Sequence, residues 1–124
     1  MNAREKVSAQ EFSVDTALDP EAIREAGRRA TEAGTRFLQN TIREYAVEDS
    51  AIGYVITGPG GFVQQMDLAV GWEDLFDGKR RVTLEVGEFL TEQTKIYFIP
   101  IGPKSAVAMG SLKLFSARLR KELS

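Results

Sequence analysis

The stretch AIGYVITGPGGFVQQMDLAVGW, residues 51–72, decides the fold class of this chain. β-Branched and aromatic residues are frequent in both of its halves, and residues 58–61, Gly-Pro-Gly-Gly, separate the halves with turn formers. This pattern is typical of two antiparallel strands joined by a tight connection. Segments at about 80–90 and 94–101 continue it, so the sequence predicts a four-strand antiparallel meander.

The alternation of side chains restricts the pairing across this loop. Pairing Thr57 with Phe62 would set Tyr54 opposite Gln65, which mixes apolar and polar positions on one face. A loop of odd length, or a glycine bulge, instead pairs Tyr54 with Met66. It also places Ile52 opposite Leu68. We therefore predict a bulge or an odd loop here.

A helix is predicted upstream of the meander. Asp19 and Pro20 suit its first positions, as a side-chain cap and as a residue whose missing N–H costs nothing there. Apolar positions then recur with a 3.6-residue period from Ile23 to Tyr45. Glycine disfavours helix interiors, so this long helix is either continuous or broken near Gly34.

The segment before that helix predicts one short strand and an arm. Phe12 and Val14 alternate with polar neighbours, which indicates a strand with one buried face. Residues 1–10 show no apolar period and are expected to form a mobile N-terminal arm.

A C-terminal helix is predicted to open at residues 102–105, Gly-Pro-Lys-Ser. Its apolar stripe runs from Ala108 to Leu123. The predicted fold is therefore α+β: an antiparallel meander with a long N-terminal helix and a C-terminal helix packed on one face. The element order is β-α-β-β-β-β-α, in a single domain at residues 11–124.

The last hairpin of the meander supplies the predicted interface. A turn centred on residues 92–93 would pair Glu88 with Tyr97 and place both on the face that meets the helices. The opposite face then carries an apolar cluster, formed by Phe89, Ile96 and Phe98. Exposed apolar patches often mark partner surfaces, so this cluster predicts a homo-oligomer, most simply a homodimer formed through the sheet.

Composition excludes several classes of function. The 124 residues contain no cysteine and no histidine, which rules out thiol chemistry, Ser-His-Asp triads and ordinary zinc sites. The net charge of −2 gives no general attraction to phosphate backbones, so no nucleic-acid partner is expected. No apolar run has the length of a membrane span, so we expect a cytoplasmic protein with no membrane partner. No cofactor is predicted.

Acidic residues also cluster after Trp72, at Glu73, Asp74 and Asp77. Their spacing does not match a calcium loop, so they are interpreted as a solvated connection between strands, and no metal site is predicted.

Three functional hypotheses follow from these observations. The first is a non-catalytic interaction module that forms a homodimer through the cluster defined above. The second is a protein that binds a small apolar ligand between helix and sheet, with four candidate residues: Tyr54, Trp72, Glu88 and Tyr97. The third is an enzyme that uses Glu88 and Tyr97 as an acid-base pair. The first is favoured because the usual catalytic residue types are missing.

Overall fold

The computed structural model describes residues 2–96 and 98–124, without the side chains of Thr94, Ile96, Ile101 and Pro103. Its helices and strands follow in this order: α1 (Ala3–Ser8), β1 (Phe12–Thr16), α2 (Pro20–Gly34), β2 (Thr41–Val47), β3 (Ala51–Thr57), β4 (Gln64–Asp74), β5 (Arg80–Phe89), β6 (Thr91–Ile96), β7 (Ile99–Ala106) and α3 (Met109–Leu123).

Five strands form one antiparallel sheet in the order β1-β5-β4-β3-β2. Strands β2 to β5 follow one another as a meander, and β1 pairs with the free edge of β5, with Phe12 opposite Leu84. The predicted α+β class with an antiparallel sheet is confirmed. The predicted element order is only partly matched, because α1 and two further strands are present.

One face of this sheet is apolar and packs against α2 and α3. Alternate positions of the three central strands are buried there: Ile52, Tyr54, Ile56, Met66, Leu68, Val70, Val82, Leu84 and Val86. The helices complete this core with Ile23, Ala26 and Ala30 from α2 and with Leu112, Phe115, Leu119 and Leu123 from α3. The packing of both helices on one face follows from the period-two alternation along each strand.

Of the two alternatives left open by the sequence, the break near Gly34 is the one observed, and the continuation of the helix to Tyr45 is wrong. A Cβ atom at Gly34 would overlap the Ile42 side chain and lie 3.1 Å from the carbonyl oxygen of Ser111, so the chain approaches its neighbours closely here. Thr35 is extended and its hydroxyl accepts a hydrogen bond from the Ile42 N–H at 3.1 Å. Residues 41–47 form the edge strand β2 instead, because many of them are β-branched or aromatic and favour strands.

The register between β3 and β4 contains the predicted irregularity. Thr57 pairs with Gln64 and Ile56 pairs with Met66, which leaves Gln65 as an extra residue on β4. The predicted pairs are displaced by two residues, since Tyr54 lies opposite Leu68. A slip of two residues keeps each side chain on its predicted face, so the inward residues of β3 and β4 are those that the sequence predicted.

The predicted closing hairpin is wrong. β1 pairs with β5 only along residues 80–84, and beyond this stretch the Val86 N–H donates to the Glu11 carboxylate at 2.8 Å instead of to a further strand. β6 and β7 pair with each other in a separate two-stranded sheet, in which Thr91 lies opposite Ala106. Residues 102–105 belong to β7, so α3 begins at Met109 rather than at this segment.

The N-terminal residues form α1, where the sequence predicted a mobile arm. The Asn2 side chain accepts a hydrogen bond from the Glu5 N–H at 2.8 Å, and Val7 is completely buried in the core. The Ser116 hydroxyl of α3 donates to the Gln10 carbonyl at 2.7 Å. The buried residues of α1, Ala3 and Val7, lie four positions apart, but a single such pair in a charged segment is too short a pattern to predict a helix.

Candidate functional site

The predicted ligand residues do not form one pocket. Tyr54 is fully buried in the core, Trp72 is partly buried towards the end of β4, and Glu88 is exposed near the end of β5. Trp72 pairs with Val82, six residues before Glu88, which separates the two along the sheet by about 20 Å. Tyr97 lies outside the described residues. The pairing of β6 with β7 in a separate sheet also removes the strand pairing on which the Glu88–Tyr97 acid-base hypothesis depended.

Tyr54 is a core residue with an unusual hydroxyl. Its ring packs against Phe115 with the ring centres 5.2 Å apart, and its hydroxyl finds no hydrogen-bond partner among the described residues. Burial raises the pKa of Tyr54, and the carboxylate of Glu44 raises this pKa further. The phenol therefore stays neutral at physiological pH.

Glu88 and Phe89 border a shallow cleft of about 420 Å³ between the start of β4 and the end of β5. Its other lining residues are Gln64, Gln65, Met66, Asp67, Gly87 and Leu90. The guanidinium carbon of Arg4 lies 5.8 Å from the centre of the Phe89 ring, so α1 covers this aromatic side chain. Phe89 is consequently only partly exposed.

The three predicted interface residues are not brought together as one patch. Phe98 is almost fully exposed in the turn between β6 and β7, where its φ angle is 68°. This turn lies at the far end of a hairpin whose base is at Thr91, roughly 20 Å away for six extended residues. Phe89 lies on the sheet beneath Arg4, and the side chain of Ile96 is outside the description.

A different apolar surface lies at one end of the five-stranded sheet. It is formed by the turn at residues 36–40 and the loop at residues 58–63, and we call it the apolar end. Thr41 pairs with Thr57, which places these two connections side by side. The relative exposures of three of its side chains are 88% for Phe37, 77% for Leu38 and 93% for Phe62.

The turn in the apolar end has a fixed conformation. The Arg36 N–H donates to the Asn40 carbonyl at 2.7 Å, and the Asn40 N–H donates back to the Arg36 carbonyl at 3.0 Å. The Asn40 side-chain amide also donates to the Gln65 side-chain oxygen at 2.7 Å. Leu38 is held at a φ of 62°, a left-handed conformation that costs a non-glycine residue about 1–2 kcal/mol. Such a strained residue persists only because the surrounding bonds define the turn.

A groove of about 330 Å³ runs between the two connections of the apolar end. Phe37, Leu38 and Pro59 supply its apolar lining, and Arg43 is the charged residue that lines it. Arg43 therefore places a positive charge in the lining of this groove although the chain as a whole is negative. The groove therefore suits an apolar group that carries or neighbours a negative charge.

The sequence patterns did not predict the apolar end. Phe37 fell on the inward stripe of the predicted long helix, and Phe62 was counted as the first residue of a strand. The signal that could have revealed it is the run from Thr35 to Thr41, which combines a preceding glycine with polar residues that favour turns.

Comparison with known proteins supplies no relative: no family model, no curated protein and no solved structure matches this chain. Within residues 2–96 and 98–124, no group of three or more carboxylates is arranged to hold a metal ion. None of the helices described here combines the length and the apolar content needed to cross a membrane.

Proposed function

We propose that the protein is a non-catalytic interaction module that associates with a second copy of itself through the apolar end. The exposure of Phe37, Leu38 and Phe62 on well-defined connections carries this proposal. Self-association was also the hypothesis favoured by the sequence. The proposed contact surface differs: it is the apolar end and not the cluster of Phe89, Ile96 and Phe98.

The energetics of burial support this choice of surface. Removing one large apolar side chain from water contributes about 1.5–3 kcal/mol, so three of them contribute a sum comparable to the low end of the entropic cost of association. The turn at residues 36–40 is already ordered by its hydrogen bonds, so binding does not have to order it. Preordered aromatic anchors of this kind dominate many protein interfaces.

Sedimentation velocity over a range of protein concentrations tests this proposal. We expect the wild-type chain to form concentration-dependent species larger than a monomer, and Phe37→Ser to weaken this association. Phe98→Ser is the matched control, because Phe98 is equally exposed but lies on the β6–β7 hairpin. A strictly monomeric wild type would contradict the proposal, and loss of association in Phe98→Ser alone would assign it to the hairpin.

A second candidate function is the binding of a small ligand in the cleft bordered by Glu88 and Phe89. Its volume of about 420 Å³ falls in the range of small-molecule sites, and Met66 and Phe89 give it an apolar floor. Native mass spectrometry of the purified protein should then show a bound compound that Phe89→Ser fails to retain. Detection of the mass of the protein alone, under conditions that preserve weak complexes, would exclude this function.

A further inference from the structure

The end of the sheet opposite the apolar end carries an exposed aromatic side chain. Phe76 lies in the turn between β4 and β5 and is fully exposed. The Leu75 N–H donates to the Lys79 carbonyl at 2.8 Å, and Gly78 has a φ of 78°, so this turn is tight and projects the ring outward. None of the described side chains covers the Phe76 ring.

Several acidic residues lie in the connections near Phe76. Residues 48–50 and 73–79 form neighbouring connections, since the Trp72 N–H donates to the Ser50 carbonyl at 2.9 Å. We call them the acidic end, and their charged residues are Glu48, Asp49, Glu73, Asp74, Asp77 and the single cation Lys79. Asp74 forms an ion pair with Arg80 at 2.9 Å. Asp77, directly beside Phe76, forms no ion pair with any residue in the described part of the chain.

The two ends of the sheet are thus complementary in charge, and the groove at one end is matched by an exposed side chain at the other. One end offers an apolar groove with Arg43 in its lining, and the other offers an exposed phenyl ring with Asp77 beside it in the sequence. An apolar cavity of about 150 Å³ is enough to bind benzene, so a groove of about 330 Å³ has room for a phenylalanine side chain.

We propose that the chain assembles head to tail, with Phe76 of one copy in the groove of the next copy. This inference rests on the proposed function, because it names the partner surface that the apolar end contacts. The Asp77 carboxylate then approaches Arg43 of the neighbouring copy, which orients the ring and opposes the reversed arrangement. Every copy of the chain carries both the groove and the exposed ring.

The geometry makes this contact heterologous. The groove lies at the start of β4 and Phe76 follows its end, and 11 residues of strand separate them, a span of roughly 35 Å. A copy therefore cannot fill its own groove, and a contact between unlike surfaces leaves one groove and one ring free in any open chain. Such contacts produce rings or filaments rather than a closed two-fold dimer.

A mixing experiment separates this assembly from other modes. Phe76→Ser removes the ring and leaves the groove intact, and Phe37→Asp spoils the groove and leaves the ring intact. Both residues are exposed, so neither change should disturb the fold, and Leu114→Ser on the exposed side of α3 serves as the control. Circular dichroism and thermal unfolding confirm that each variant is folded.

We expect wild type and Leu114→Ser to pass beyond the dimer as concentration rises in sedimentation velocity. Each of the other variants alone should associate roughly tenfold to hundredfold more weakly, as for loss of an aromatic anchor. Their equimolar mixture should form a 1:1 heterodimer and stop there, because one copy supplies the only ring and the other the only groove. Raising the salt concentration should weaken this heterodimer.

The outcomes distinguish the two proposals. If Phe37→Asp abolishes association but Phe76→Ser associates like the wild type, the interaction module stands and the head-to-tail contact is wrong. If the mixture shows no heterodimer, the head-to-tail contact is also wrong. If the wild type is monomeric throughout, both proposals fail.

Discussion

The hydroxyl of Tyr54 in β3 faces Gly27 of α2 so closely that a Cβ atom at position 27 would overlap the hydroxyl oxygen. Tyr54 is fully buried and its ring is fixed against Phe115, so it has no room to move aside. This contact sets how closely the first long helix approaches the sheet, and it gives the glycine a packing role in the middle of a helix.

Gly27→Ala should therefore destabilise the protein. The substitution improves helix propensity by about 1 kcal/mol, but forcing a methyl group into this contact costs typically 1–3 kcal/mol. We expect a net loss of up to about 2 kcal/mol in the free energy of unfolding, measured by urea denaturation. The matched comparison is Gly27→Ala in a Tyr54→Phe background, where the overlapping oxygen is gone and at least half of the loss should be recovered. Equal losses in both backgrounds would show that the hydroxyl is not the obstacle.

Alkaline pH should destabilise the wild type more than the Tyr54→Phe variant. Burial raises the pKa of Tyr54 in the folded protein, whereas the unfolded chain ionises this residue near its usual value of about 10. The stabilising contribution of the protonated phenol is thus complete below pH 10 and is lost as the pH rises above it. Urea denaturation at about pH 8 and about pH 11 measures the difference. Parallel pH dependences in the two proteins would mean that the Tyr54 hydroxyl reaches water.

Val7→Ala should lower the free energy of unfolding by about 1–2 kcal/mol, because it removes buried methyl groups from the core. Lys6→Ala, one residue earlier on the exposed side of α1, should change it by less than about 0.5 kcal/mol. Amide hydrogen exchange within residues 3–8 should also show protection. An unprotected segment and two equally mild variants would support the mobile arm that the sequence predicted.

Leu38→Asn should affect stability and association in opposite directions. Asparagine tolerates the left-handed conformation at this position better than leucine, so we expect the free energy of unfolding to rise by up to about 1 kcal/mol. The same substitution removes an apolar side chain from the groove and should weaken self-association. Thermal denaturation and sedimentation velocity measure the two effects. A variant that is less stable would show that Leu38 makes a packing contribution larger than its backbone strain.

The meander and the core were largely accessible from the sequence. The alternation in residues 51–57 and 80–90 reports directly which side chains are buried, so the strands and the core face were predicted correctly. The helix boundary was not accessible in the same way. Ile42 and Tyr45 are three residues apart, a spacing that fits a helix, and the close contact at Gly34 that ends α2 exists only after the chain has folded.

The candidate site was predicted least well, because it depends on which connections become neighbours. Phe37 and Phe62 are far apart in the sequence, and the pairing of β2 with β3 brings their connections together. The sequence likewise placed Glu88 beside Tyr97 through a hairpin with β5, but β6 pairs with β7 in a separate sheet instead.

The sequence by itself determined the fold class, the inward face of the central strands and the absence of cysteine and histidine chemistry, since each follows from residue types and local periodicity. Only the tertiary structure decided where the long helix stops, that residues 3–8 dock as a helix, and that exposed aromatic side chains occupy opposite ends of one sheet. Those features arise from contacts between segments distant in the chain, and local periodicity carries no information about such contacts.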